Sequence, residues 1–310
     1  MKSFARKFLP GTLIHCYQNT VNGFLLFYNH SDHLVHFTIF CTCAKRYGIR
    51  VLAICQMADH IHSGVQAPSR EALSLFNQEV SSKFAFSDSS VCNRKGHLFN
   101  RPFGSALKQG SKKARTNLIY IGNNPVERQL CSKAIDYRWN FLAYADNDHP
   151  FSRKLVVRKA SWAMRKAIKE VNAQHRRNQP LSYTLLQRLF GSLDREEGLQ
   201  LIDYIVTTYS VIDYEYASHF FGGYGNMIGA MEYNTGSEYD IKEDNFGKSD
   251  ACYGHIARWL YDNLNISDIH EVFSLPESLR TGLLMEMHSE LGTEIRQLAK
   301  YLRLKIEYKK

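Results

Sequence analysis

The stretch IRVLAICQMADHIHSGVQA, Ile49 to Ala67, decides how the first half of this chain folds. Its opening nine residues are apolar and β-branched, and after at most a tight turn a second run follows in which His60 and His62 flank Ile61. Runs of this length and composition read as two adjacent β-strands. Residues two apart on a strand point to the same face, so His60 and His62 project side by side while Ile61 points into the core.

Upstream, DHLVHFTIFCTCAKRYG carries apolar residues at helical spacing and stops at Gly48, a residue suited to the left-handed cap of a helix. Before it, LIHCYQNTVNGFLLFY (Leu13 to Tyr28) reads as a β-hairpin turning at Asn22-Gly23. Downstream, a helix is expected from about Ser69 to Phe84, with Ser69 as N-cap and Glu71 in the first turn. The order strand, helix, strand, strand, helix implies an α+β fold: an antiparallel or mixed sheet with helices packed on a face.

TNLIYIGNNPVERQLC (Thr116 to Cys131) reads as a helix disturbed between Gly122 and Pro125, followed by a second amphipathic stretch through DYRWNFLAY. Around Asp146 to Pro150 the composition shifts. Beyond it helix-period patterns dominate, as in SWAMRKAIKEV, EEGLQLIDYIV and HIARWLYDNL, interrupted by a Gly- and acid-rich stretch from Gly222 to Asp250. The expected organisation is an α+β domain over residues 1–148 and a mostly α-helical C-terminal domain over 149–310. A length of 310 residues suits two domains.

Lys and Arg outnumber Asp and Glu by 39 to 30, and the formal charge of +9 favours a polyanionic partner. No apolar run is long enough to span a bilayer, so no membrane partner is expected. Near the N-terminus Pro10 and Gly11 interrupt the apolar stretch before it could form a signal-peptide core, which points to the cytoplasm. Seven cysteines, odd in number and without a C-x-x-C pair, fit a reduced compartment.

Between Asn93 and Arg115 the chain carries Arg94, Lys95, Arg101, Lys108, Lys112, Lys113 and Arg115 with no acid at all. Phe99 and Phe103 sit among these charges. The run reads either as a single-stranded nucleic-acid surface, where bases stack on aromatics and cations meet phosphates, or as a strand with an apolar inner face and a solvated basic outer one.

Two imidazoles on one strand face form a two-pronged metal clamp, although neighbouring histidines also occur on ordinary sheet surfaces. They leave most of an ion's coordination sphere open, as catalysis requires, so a third ligand and a nucleophile are expected elsewhere. Tyr120 and Asn124, four apart, share a helix face that could lie against the strand. A phenol with its pKa near 10 needs a base or a cation to act as a nucleophile at neutral pH. With 18 tyrosines in the chain, packing is the ordinary role for any one of them until something ties it to the histidines.

DHIHSGVQ after an apolar strand, then YIGNNPVERQLC, then DYRWNFLAY resembles the HUH motif and downstream helix of the REP-associated tyrosine transposases, single-tyrosine members of the HUH superfamily. The resemblance runs from about Leu13 to about Tyr144. It implies a ferredoxin-like or RRM-like HUH domain, metal ligation by His60, His62 and Asn124, and Tyr120 as nucleophile. It also implies Mg2+ or Mn2+ as the ion, and single-stranded, hairpin-forming repeat DNA as the substrate of a DNA endonuclease and strand transferase acting as monomer or homodimer. The sequence departs from the family at Ser63-Gly64, where bulky apolar residues are usual, and at Asp59, where Asn is also common; Asp59 reads first as a turn or strand-capping residue, with approach to the ion or orientation of a histidine as the alternative. His15 reads as structural, and Tyr137, Trp139, Phe141 and Tyr144 as an aromatic core cluster.

At the far end, SELGTEIRQLAKYLRLKIEYKK resembles the first part of a helix-turn-helix, with Ile295, Leu298, Ala299 and Leu302 on one face. A catalytically inactive, transposase-derived DNA-binding regulator is the alternative to an active enzyme. An unrelated metal hydrolase using a water nucleophile is a third reading.

Overall fold

A computed structural model describes residues 7–94, 96–100, 102–233 and 250–305. Four strands, β1 (Leu13–Asn19), β2 (Arg50–Gln56), β3 (His60–Gln66) and β4 (Gly104–Lys108), form one antiparallel sheet in the order β2-β3-β1-β4. The two strands expected from Ile49–Ala67 are present and pair directly, with a bulge between Val51 and Ala53.

The hairpin expected at Asn22-Gly23 does not form. Both residues do take positive φ (59° and 68°), as such a turn requires. β1, however, is paired on one edge with β3 and on the other with β4, so no ladder position is left for Phe24–Tyr28. That segment leaves the sheet, with the Leu26 and Phe27 amides both donating to the Ala58 carbonyl.

Helix α1 (His30–Tyr47) opens with a capping box between Asn29 and Asp32 and closes on Gly48 at φ 62°, the stop read from the sequence. Helix α2 (Arg70–Cys92) is capped by the Ser69 hydroxyl, which accepts the Ala72 amide at 3.0 Å, and runs about two turns beyond the expected end. Both pack on the face of the sheet that presents Ile14, Cys16, Ile54, Ile61 and Val65.

Helix α3 (Ser111–Glu127) covers the opposite face, packing Ala114, Leu118 and Ile119 against Leu13 and Leu52. Gly64 permits this close approach: a Cβ there would meet the methyls of Ile121 and Leu13 at 3.3 Å. Pro125 stands inside the last turn of α3 without ending it before Glu127. The second amphipathic stretch is not a helix. Asp136–Tyr144 folds as short 3-10 turns, with Phe141 at φ 63°. Tertiary contacts override the local periodicity: Phe141 is fully buried against Phe37, and the Arg138 guanidinium pairs with the buried Asp203 carboxylate.

The rest of the described chain is helical: α4 (Trp162–Arg176), α5 (Tyr183–Phe190), α6 (Arg195–Tyr209), α7 (Tyr214–His219), α8 (Tyr224–Tyr233), α9 (Cys252–Asn263), α10 (Glu277–Leu291) and α11 (Ile295–Tyr301). Apolar residues of α4, α5 and α6 join the same core as β1, α1 and α2, so helices on both sides of Asp148 share one buried cluster. A second cluster gathers α9, α10 and α11 around Leu25. Leu298 and Ala299 of α11 and Leu302 just after it belong to that cluster, while Ile295 is exposed. No helix among the described residues is long and apolar enough to cross a membrane.

Candidate active site

The strand alternation that sends Ile61 and Val65 into one core puts His60, His62 and Gly64 on the α3 side. The imidazoles of His60 and His62 lie edge to face with centroids 4.8 Å apart, and both residues are buried. Helix α3 lays Tyr120 against them: its ring is 5.4 Å from that of His62 and 5.6 Å from that of His15 on β1. Cys55, Met57 and Ile121 complete an apolar wall around the phenol. Asn124 lies one turn further along α3 and is 2% exposed.

Each histidine of the clamp is gripped through Nδ1. Asp59 Oδ1 stands 2.5 Å from His60 Nδ1, and Asp59 Oδ2 accepts from Lys300 Nζ of α11 at 3.1 Å. Burial alone would raise the Asp59 carboxyl; the His60 imidazole, its hydrogen bond and the charges of Lys300 and Arg128 outweigh it and hold the group well below the usual carboxylate range. Asp59 therefore stays ionised, and as an acceptor it fixes the proton of His60 on Nδ1. The residue sits in the bend between β2 and β3, as expected of a turn former, but it also orients the histidine.

His62 Nδ1 faces His15 Nε2 at 3.0 Å, and His15 Nδ1 faces the side-chain amide nitrogen of Asn117 at 3.0 Å. With both ring nitrogens engaged in this way, His15 supports His62. In each clamp residue the nitrogen directed away from these partners is Nε2, and both Nε2 atoms are buried. Two imidazole nitrogens fit a borderline divalent ion, and a carboxamide oxygen such as that of Asn124 suits a harder one. Among the described residues no group of three or more His, Cys, Asp or Glu is placed to hold a metal ion, so a clamp at this site has only two histidines of that set.

Asp250 adds a second carboxyl group beside Asp59. It is 5% exposed, its amide donates to the Arg128 carbonyl at 3.3 Å, and its Oδ2 makes no hydrogen bond among the described residues. Burial and the neighbouring Asp59 raise its carboxyl, opposed by Arg128, His60 and Lys300.

The basic residues expected at a DNA surface divide. Arg94 is committed internally, with its Nε 2.8 Å from Asp88 Oδ2 and a second nitrogen on the Ala85 carbonyl. Lys108 is 3% exposed at the end of β4. Lys112, Lys113 and Arg115 are exposed in the first turns of α3, the helix that carries Tyr120. Lys95 and Arg101 lie outside the described residues. Asn117, Lys300 and Asp250 were not singled out from sequence; only Asn117, three residues before Tyr120 and hence on its helix face, carried a local signal.

No protein-family model and no curated protein matches the chain. One solved structure, of a REP-associated tyrosine transposase bound to a REP hairpin, is similar over 45% of this chain and 81% of its own length, at 16% identity and a TM-score of 0.39.

Proposed function

We propose that the protein is a metal-dependent single-stranded DNA endonuclease and strand transferase that joins DNA to Tyr120 through a 5′-phosphotyrosine bond. The observation that carries this reading is the packing of the Tyr120 ring edge-on against His62, beside a second histidine that points the same way. Among the described tyrosines this one packs its ring on His62 of the pair, which a packing role does not require. The motif resemblance from Leu13 to Tyr144 supports it independently.

His60 and His62, with Asn124 from α3, would hold the ion; when bound, Mg2+ or Mn2+ supplies Lewis-acid polarisation of a phosphate oxygen. Asp59 and His15 orient the two imidazoles. Tyr120 Oη attacks phosphorus, the new O–P bond forms as the P–O3′ bond breaks, and the phenol proton ends on the departing 3′-oxygen. The phosphodiester count is unchanged, so resealing onto another 3′-hydroxyl needs no nucleotide cofactor. Lys112, Lys113 and Arg115 on α3 are placed to meet backbone phosphates near the nucleophile. With Tyr120 4% and His62 1% exposed, a phosphodiester reaches them only when covering side chains move.

The test is incubation with labelled hairpin-forming single-stranded DNA and Mn2+, followed by denaturing electrophoresis. A protein-linked product is expected from the wild type and none from Tyr120→Phe. Free 5′-phosphate product without any protein adduct would instead favour hydrolysis by water.

A further inference from the structure

We infer that His62 is a conditional metal ligand, switched between a binding and a non-binding tautomer by a half-turn of the Asn117 amide acting through His15. This inference rests on the proposed metal role of His60 and His62 and deepens it.

Asn117 is fully buried on α3, one turn before Tyr120. Its amide nitrogen faces His15 Nδ1 at 3.0 Å, while its Oδ1 is buried without a hydrogen-bond partner among the described residues. His15 Nε2 in turn faces His62 Nδ1 at 3.0 Å. A neutral imidazole has one N–H donor and one acceptor, and an amide NH2 only donates. With the amide nitrogen forward, His15 Nδ1 must accept, so the His15 proton sits on Nε2 and is donated to His62 Nδ1. His62 then carries its own proton on Nε2. That nitrogen has no lone pair to offer an ion.

A half-turn of the amide reverses every role. Asn117 Oδ1 accepts from His15 Nδ1–H, His15 Nε2 accepts from His62 Nδ1–H, and His62 Nε2 presents its lone pair. Each ring holds one proton in both states, so the conversion takes up and releases none overall. Both amide orientations leave one end of a buried amide without a partner, the oxygen in the first and the nitrogen in the second. Each state thus leaves one unmet bond, the first is the one found without an ion, and a bound ion, which interacts only with the second, selects the second. His60 contrasts with this. Its Nδ1 faces the Asp59 carboxylate group rather than an amide that can turn, so no equivalent reversal of donor and acceptor reaches its Nε2.

The experiment is 15N NMR of the histidine side chains in the whole protein, with and without Mg2+, joined to Mn2+ titration calorimetry. His62 is expected to be protonated on Nε2 without metal and on Nδ1 with it, while His60 is protonated on Nδ1 throughout. Asn117→Leu strands a buried N–H in the binding state but only a lone pair in the other, and should weaken Mn2+ binding about tenfold, as loss of a ligand's supporting partner does. In a His15→Gln background, where Gln Oε1 can accept from His62 directly, the same Asn117→Leu change should alter affinity less than twofold. His62 found with its proton on Nδ1 in the absence of metal, or an equal effect of Asn117→Leu in both backgrounds, would overturn the switch while leaving the metal site standing. Wild-type Mn2+ affinity in His62→Ala would remove the metal reading itself, and the switch with it. The wild-type spectra decide the matter even if a variant does not fold.

Discussion

His270 makes a quantitative prediction about how the helical half is held to the sheet. Its Nε2 is 3.0 Å from Asp32 Oδ1 at the start of α1, and its Nδ1 is 2.5 Å from Asp268 Oδ1. Asp32 also accepts from the Tyr28 and Asn29 amides and, at 2.7 Å, from the Tyr183 hydroxyl of α5. Burial alone would lower the His270 pKa; the Asp32 charge, the two hydrogen bonds and the Asp268 charge outweigh it and raise the group from 6.5 to about 10. A folded-state pKa above the unfolded one means that the imidazolium stabilises the fold fully below pH 6.5 and that this contribution is lost as pH rises through 10. Each tenfold gain in proton affinity is worth about 1.4 kcal/mol, so the whole contribution is on the order of 5 kcal/mol. Urea unfolding of wild type and His270→Gln at half-unit steps from pH 6 to 10.5 measures it. The gap in stability should be widest near pH 6 and close steadily above pH 6.5, with a slope near 1.4 kcal/mol per pH unit. A gap that stays constant with pH, or that widens toward alkaline pH, would show that His270 is neutral in the fold and would refute the reasoning.

Three further outcomes follow from the site. Asp59→Asn removes the charge that faces both His60 and Lys300 and should weaken Mn2+ binding by about ten- to a hundredfold in calorimetry. Gly64→Val forces bulk between β3 and α3, where even a Cβ is at 3.3 Å from two methyls; thermal or urea denaturation should show a loss of about 1–3 kcal/mol, and adduct formation should fall further than Mn2+ affinity because Tyr120 is carried away from the clamp. Replacing Lys112, Lys113 and Arg115 together by Gln should reduce the slope of log affinity against log salt for single-stranded DNA by about 2, read by fluorescence anisotropy.

The parts of the fold legible in the sequence were those governed by local rules. Gly48 and Ser69 act at the helix ends where they stand, and the alternation of His60, Ile61 and His62 sorts the residues onto two faces without reference to anything distant. The errors came where a distant segment decided the outcome. Asn22-Gly23 takes turn geometry, but the edge of β1 that the hairpin needed is occupied by β3 and β4. The aromatic run Asp136–Tyr144 has helical spacing, yet Phe141 is buried against Phe37 of α1 while the Tyr144 hydroxyl is held by Asp203 of α6. The site divides along the same line. The histidine pair is a strand pattern and Tyr120 a motif position, whereas the groups that set histidine orientation come from Asn117, 102 residues from His15, and Lys300, 241 residues from Asp59. Arg94 shows the same dependence on distant partners: it is basic in sequence, but its guanidinium is held at Asp88, a carboxylate that it shares with Arg303.

The proposed reaction transfers a DNA phosphodiester to Tyr120. It is tested most directly by digesting the complex formed on a hairpin-bearing single strand in Mn2+ and sequencing the DNA-linked peptide by mass spectrometry. A 3′-labelled strand should yield a labelled peptide spanning Thr116 to Arg128 with the 5′-phosphate on Tyr120, and a 5′-labelled strand should yield only a free fragment ending in a 3′-hydroxyl. Linkage at any other residue, or cleavage that leaves a free 5′-phosphate and no labelled peptide, would contradict it.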